Sequence, residues 1–324
     1  MSLIVAALLP TAAAAATLTD SVGRKVEVPA SVATVVPAGA PAQVLLQALA
    51  PTRLVGLVEP VNAEHAMYVD RSLAKLPRIP QLSRTEAPGD IAAVKALNPS
   101  LVVDYGNVSA RFVAADEKVQ SKLGVPTLLY GGALAQIGDV VRALGDAFDV
   151  KPRAATIASV AAGVLERAKP VAGLPEAERV PVYAARGTDG LLALRGGTSF
   201  DETIRLAGGR NVVAASGGTF QPMTVDAVVA LKPKVVIFGE EEALSSPLRK
   251  ALPQGTIVVL DAGEPYRVVT GPPSLNRLVG LSALLGILHP NRTKGSTPEV
   301  ATTIEADLFP PPAGIALPTP LQVR

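Results

Sequence analysis

The chain has no cysteine and no tryptophan, only two histidines, and an aromatic content of 3%. Without cysteine there is no thiol catalysis, no thiolate metal site and no disulfide. His65 and His289 are too far apart to supply the ligand spacing of a three-histidine or histidine–carboxylate metal centre. His289 follows the apolar run Leu281–Leu288 and precedes Pro290, the place of a helix C-terminal residue in favourable contact with the helix dipole. His65, beside Glu64 and Tyr68 in a loop, is positioned to reach a ligand. No run of Lys or Arg is dense enough to track a phosphate backbone, and the formal net charge is only +2. Nucleic acid is therefore not expected as the main partner. The glycine pairs at 131–132, 196–197, 208–209 and 217–218 fit neither G-x-G-x-x-G nor a P-loop, and read as helix stops or turns. No catalytic residue, resident cofactor or metal ligand is expected.

What is present is apolar and regularly spaced. A chain of 324 residues, 48% of them apolar, suits two domains with a core each. Ile4–Leu9 is apolar and Thr11–Ala16 reads TAAAAA, the end of a secretory signal with cleavage near Ala14–Ala16, although the basic leader is missing. The apolar part is too short to span a bilayer, so an exported, soluble protein is expected.

Short apolar runs alternate with helical patterns. Strands are predicted at Val32–Val36, Leu54–Val58, Leu101–Asp104, Thr127–Tyr130, Val180–Ala185, Val235–Phe238 and Ile257–Leu260. Their lack of polar alternation marks parallel strands covered on both faces. One phrase occurs twice: AAVKALNPSLVVDYG (Ala92–Gly106) and DAVVALKPKVVIFGE (Asp226–Glu240). QALAPTRLVGL (Gln47–Leu57) and IRLAGGRNVVA (Ile204–Ala214) form a second matching pair in the same order. An insertion in the first half, within the Pro-rich Glu59–Gly89, accounts for the unequal offsets.

The expected fold is α/β, with two similar parallel-sheet, Rossmann-like lobes flanking a ligand cleft. Residues 1–16 would be the signal remnant, 17–132 the first lobe, 133–173 a helical connector ended by Pro170, Gly173 and Pro175, 174–309 the second lobe, and 310–324 an extended Pro-rich tail. A stiff connector predicts little hinge closure.

Ligands of open α/β sheets sit beyond the carboxyl ends of strands. Tyr105, Asn107, Tyr130, Arg186, Arg195, Tyr266 and Arg267 all follow strands or short apolar segments. Arg offers forks for anionic oxygens and Tyr a flat face with a polar tip, a set suited to an anionic ligand with some flat surface.

The order TLTDSVGRKVEVP (Thr17–Pro29), QVLLQALAPTRLVGL, ALNPSLVVDYG, KLGVPTLLY, LAGGRNVVA, ALKPKVVIFG and GPPSLNRLVGL (Gly271–Leu281) resembles the periplasmic binding proteins of ferric-siderophore, haem and vitamin B12 uptake. The resemblance covers nearly the whole mature chain. It implies two lobes joined by a long helix, a cleft ligand, a monomer, and docking onto an inner-membrane ABC permease through a surface Glu on each lobe. Glu202 matches in the second lobe; the first-lobe helix has no acidic residue, leaving Glu59 or Glu64. The aromatic content is low for haem or cobalamin, and an anionic chelate held by Arg84, Arg186, Arg195 and Arg267 fits better. A ferric siderophore is the first expectation, and an oxyanion such as molybdate or tungstate the second. An enzyme such as a nucleotide-sugar transferase would need a phosphate loop and a general base, neither of which is found.

Overall fold

A computed structural model describes residues 15–61, 65–82, 88–215 and 217–324. The expected signal remnant falls almost entirely outside these, as do Arg84 and Glu64. An antiparallel hairpin, β1 (Ala15–Thr19) and β2 (Lys25–Pro29), leads into a parallel sheet of β3 (Val35–Pro37), β4 (Leu101–Gly106) and β5 (Thr127–Gly131), in that order. Every residue of β3 and β5 is buried, as the unbroken apolar runs require. Helices α1 (Ala40–Leu49), α2 (Pro88–Ala96) and α3 (Ala110–Leu123) belong to this lobe.

Two strand expectations are corrected here. The first strand starts at Val35 because the Thr34 and Ser100 side chains and backbones bond each other in place of a regular ladder. Leu54–Val58 makes only isolated bridges: the Val55 N–H donates to Val35, whereas Leu57 turns to Pro77 and Ile79 on the other side.

The connector is an antiparallel pair, α4 (Ile137–Ala147) and α5 (Lys151–Ala172). Pro170, expected as a stop, lies inside α5, which runs on to Ala172. A proline in the last turn costs a single intrahelical bond, and buried Ala168 and Val171 hold that turn on the core.

The second lobe carries β6 (Val180–Arg186), β7 (Leu192–Leu194), β8 (Gly209–Asn211), β9 (Phe220–Pro222), β10 (Val235–Phe238), β11 (Ile257–Asp261) and β12 (Leu321–Val323). Its helices are α6 (Ser199–Leu206), α7 (Val225–Ala230), α8 (Pro247–Ala251), α9 (Asn276–Leu288) and α10 (Pro298–Leu308). The strands run β12-β11-β10-β6-β7-β9, with β8 also on β6. β8, β6, β10 and β11 pair in parallel, while β7, β9 and β12 are antiparallel additions, so this sheet is mixed rather than purely parallel. The C-terminal segment, expected as a tail, ends in β12 on the sheet edge.

The repeated phrase is one unit used twice. α2 leads into β4 beside β3, and α7 leads into β10 beside β6, each pair parallel. Asn98 and Lys232, one before each shared proline, both stand at φ 50°. A single core runs from the first lobe through α4 and α5 into α9 and α10, and separate clusters cover the outer faces of the two sheets. The lobes are thus packed onto one helical connector.

Candidate functional site

On the first-lobe side of the cleft, α1 turns Gln43 toward the loop after Val58. The Gln43 Nε2 donates to the Glu59 carbonyl at 2.8 Å, and its Oε1 accepts the Glu59 N–H at 3.0 Å. This two-ended amide clamp sets Glu59 at the cleft mouth. Partial burial of its carboxyl raises the pKa above the ordinary value, and the charge of Arg186 across the cleft opposes that rise.

On the facing side, Asp261 ends β11 and organises the next loop. Its carboxylate accepts the N–H groups of Val268, Val269 and Thr270 at 2.8, 2.9 and 2.7 Å, and the Thr270 hydroxyl at 3.0 Å. The loop doubles back so tightly that a Cβ on Gly271 would stand 2.3 Å from the Arg267 carbonyl oxygen; a side chain there would displace the wall. Arg186, at the carboxyl end of β6, donates from Nε to the Thr270 carbonyl and lies 5.5 and 5.0 Å from the ring centres of Phe200 and Phe220. Burial lowers its pKa, and Glu240, Glu59 and Asp261 counter this. Glu240, just past β10, is pushed up by burial, with Arg267 and Arg186 pulling it back.

Between these walls lies a cavity of about 200 Å³, lined by Gln43, Glu59, His65, Tyr266, Arg267 and Gly271 among others. At its mouth the His65 Nδ1 meets the Glu264 carboxylate, a contact from first lobe to second. The Glu264 N–H in turn donates to Glu305, a carboxyl only 1% exposed that burial pushes up to about 9, so it is protonated at neutral pH.

The structure brings together part of the expected set. Tyr266 and Arg267 line the cavity with His65 and Glu59, and the charge of Arg186 acts on Glu59. Tyr105 and Tyr130 do not line it: both point into the protein interior at 2% and 4% exposure, and burial pushes each hydroxyl up to about 12. Asn107 is exposed past the end of β4. Arg195 donates to the Phe220 carbonyl beside β9. Glu202, expected on the surface, is half-buried, accepts the Leu134 N–H and pairs with Arg277 at 2.7 Å. Arg277 is 1% exposed and also bonds the carbonyls of Ser199 and Gly132, so it ties the second lobe to the chain after β5.

Gln43, Glu264 and Arg277 are not among the expected site residues. Gln43 and Arg277 stand within the family-like phrases QVLLQALAPTRLVGL and GPPSLNRLVGL, and Glu240 closes the repeated phrase, but nothing local gives Gln43 or Arg277 its partners.

A model of the periplasmic binding protein family matches residues 47–255. No curated protein sequence matches the chain. Among solved structures, an ABC transporter solute-binding protein from Sulfurospirillum deleyianum superposes with a TM-score of 0.81 at 20% identity, covering 93% of this chain and 95% of that one. The molybdate periplasmic binding protein of Haemophilus influenzae gives 0.67 at 17% identity over 91% and 98%. A periplasmic heme binding protein from Pseudomonas aeruginosa gives 0.56 at 20% identity over 81% and 94%. At these identities the likeness speaks for the two-lobed fold alone.

Proposed function

The chain belongs to the periplasmic binding protein family, and from that premise we propose that its interlobe cleft captures a compact metal chelate, a ferric siderophore first among them, for delivery to an ABC permease. Members of the family bind substrates and do not convert them, so the chain is a binding protein and not an enzyme. Among the described residues, no helix is long and apolar enough to cross a membrane.

The observation that carries the reading is the mixed charge around one small cavity. Arg267 and Glu59 line it; Arg186, whose charge acts on Glu59, and Glu240, on which both arginines act, add one charge of each sign, and Glu264 pairs with His65. A bare oxyanion would use the guanidiniums and leave the carboxylates unmatched. A chelate presents anionic donors and a cationic metal together and suits both. Permease docking through Glu202 is not carried forward, because that carboxylate is committed to Arg277.

The test is a thermal-shift panel of ferric hydroxamates and catecholates, haem, cobalamin, molybdate and tungstate. A ferric chelate is expected to raise the melting temperature in a concentration-dependent way. A rise with molybdate or tungstate alone would replace the chelate with an oxyanion.

A further inference from the structure

Asp261 ends β11 with a fully buried side chain. Among the described residues its carboxylate forms no salt bridge. Its partners are the N–H groups of Val268, Val269 and Thr270 at 2.8, 2.9 and 2.7 Å, and the Thr270 hydroxyl at 3.0 Å. All four donors come from one turn, and such charge-assisted bonds are roughly twice as strong as neutral ones. Val268 and Val269 bury their side chains in the core, which anchors the same turn.

Arg186 and Arg267 are attached to this turn through main-chain carbonyls. Arg267 directly precedes it, and its Nη1 donates to the carbonyl of Asp261 at 2.7 Å. The Arg267 carbonyl in turn accepts from Asn276 Nδ2, at the start of α9, at 2.6 Å. Arg186 reaches the turn from β6: its Nε donates to the Thr270 carbonyl, while Phe200 and Phe220 stand against its guanidinium. Among the described residues neither guanidinium is in a salt bridge. A carboxylate partner would fix an arginine and neutralise it at once. A carbonyl fixes it and leaves its charge for a ligand.

Resting on the chelate reading above, in which both arginines meet anionic oxygens of the ligand, we propose that Asp261 is the positioning residue of the site. It folds residues 268–270 into a turn that sets both guanidiniums, Arg267 through its own carbonyl and Arg186 through that of Thr270. Asp261 does not itself touch the ligand, because its side chain is fully buried. Its negative charge is taken up by N–H and O–H donors rather than by the arginines, so the cleft keeps two oriented cations.

Ferric tris(acetohydroxamate) is titrated into the wild type, Asp261→Asn, the Arg186→Ala/Arg267→Ala double variant, and the triple variant that combines them. Asp261→Asn keeps the shape of the side chain and turns one acceptor oxygen into a donor that faces donors. It is expected to lose about tenfold or more in affinity beside intact arginines, and less than about twofold where both are already alanine. Undiminished affinity, or an equal loss in both backgrounds, overturns the positioning role. If Asp261→Asn does not fold, Thr270→Val takes its place throughout; it removes only the hydroxyl donor and is expected to lose about threefold or more. A second readout needs no ligand. The Nε–H resonances of Arg186 and Arg267, assigned by their loss in Arg186→Lys and Arg267→Lys, should both move in the Asp261 or Thr270 variant. Movement of only one, or of neither, overturns the proposal. If no ferric chelate binds the wild type, the chelate reading fails, and these resonances alone decide whether Asp261 sets the two arginines.

Discussion

Glu305 supports the cleft from behind, and its buried carboxyl, raised from 4.5 to about 9, makes folding pH-dependent. The folded state holds a proton that the unfolded chain releases, so this contribution is complete below about pH 4.5 and is lost as the pH rises toward 9. Asp104 and Asp116, which face each other in the first lobe, are both raised by burial and act in the same sense. Glu305→Gln keeps an acceptor for the Glu264 N–H and removes the titration. The melting temperature of the wild type should therefore fall more between pH 6 and pH 9 than that of the variant; parallel curves would contradict this. Lys232 offers a second residue-scale test. It holds φ 50°, a left-handed conformation that a lysine adopts at a cost, where the first copy of the unit uses Asn98. Lys232→Asn should stabilise the protein by up to about 1 kcal/mol in urea denaturation, and a loss of stability would show that the side chain contributes in some other way.

At the scale of elements, Arg277 at the start of α9 connects α6 to the turn after β5. Removing one partner of a buried pair leaves the other uncompensated, so Arg277→Met should cost about 3–5 kcal/mol, measured by chemical denaturation. A cost near zero would mean that the lobes are joined by apolar packing alone. The elements also show what could be read from the chain. The α2–β4 and α7–β10 units were legible because their apolar runs, prolines and order repeat, and burial on both faces leaves a strong signature. Leu54–Val58 looked like a strand for the same apolar reason, but its partners were a distant loop on one side and β3 on the other, which no local pattern encodes. The site divides similarly. Arg186, Tyr266 and Arg267 were legible from their place after strands. Tyr105 and Tyr130 share that placement but turn inward, and Glu202 became an internal partner because an arginine far along the chain reaches it. Which way a side chain turns at a strand end depends on tertiary neighbours.

Over the whole molecule, the continuous core from the first lobe through α5 to α9 implies a binding protein that is largely pre-formed. Spin labels at exposed Lys122 and Lys250, one on each lobe, should keep their separation within about 2 Å when a ligand binds; a larger change would point to a hinge that this packing does not provide. The central claim, that the cleft between the lobes holds a chelate through Arg186 and Arg267, is tested most directly by calorimetric titration. Ferric tris(acetohydroxamate) is added to the wild type and to the Arg186→Ala/Arg267→Ala double variant at constant salt. Saturable one-to-one binding to the wild type, weakened about a hundredfold or more in the folded double variant, is the predicted result, since each charge-assisted bond is worth about 1.5–3 kcal/mol. Equal affinity of the two proteins would contradict it.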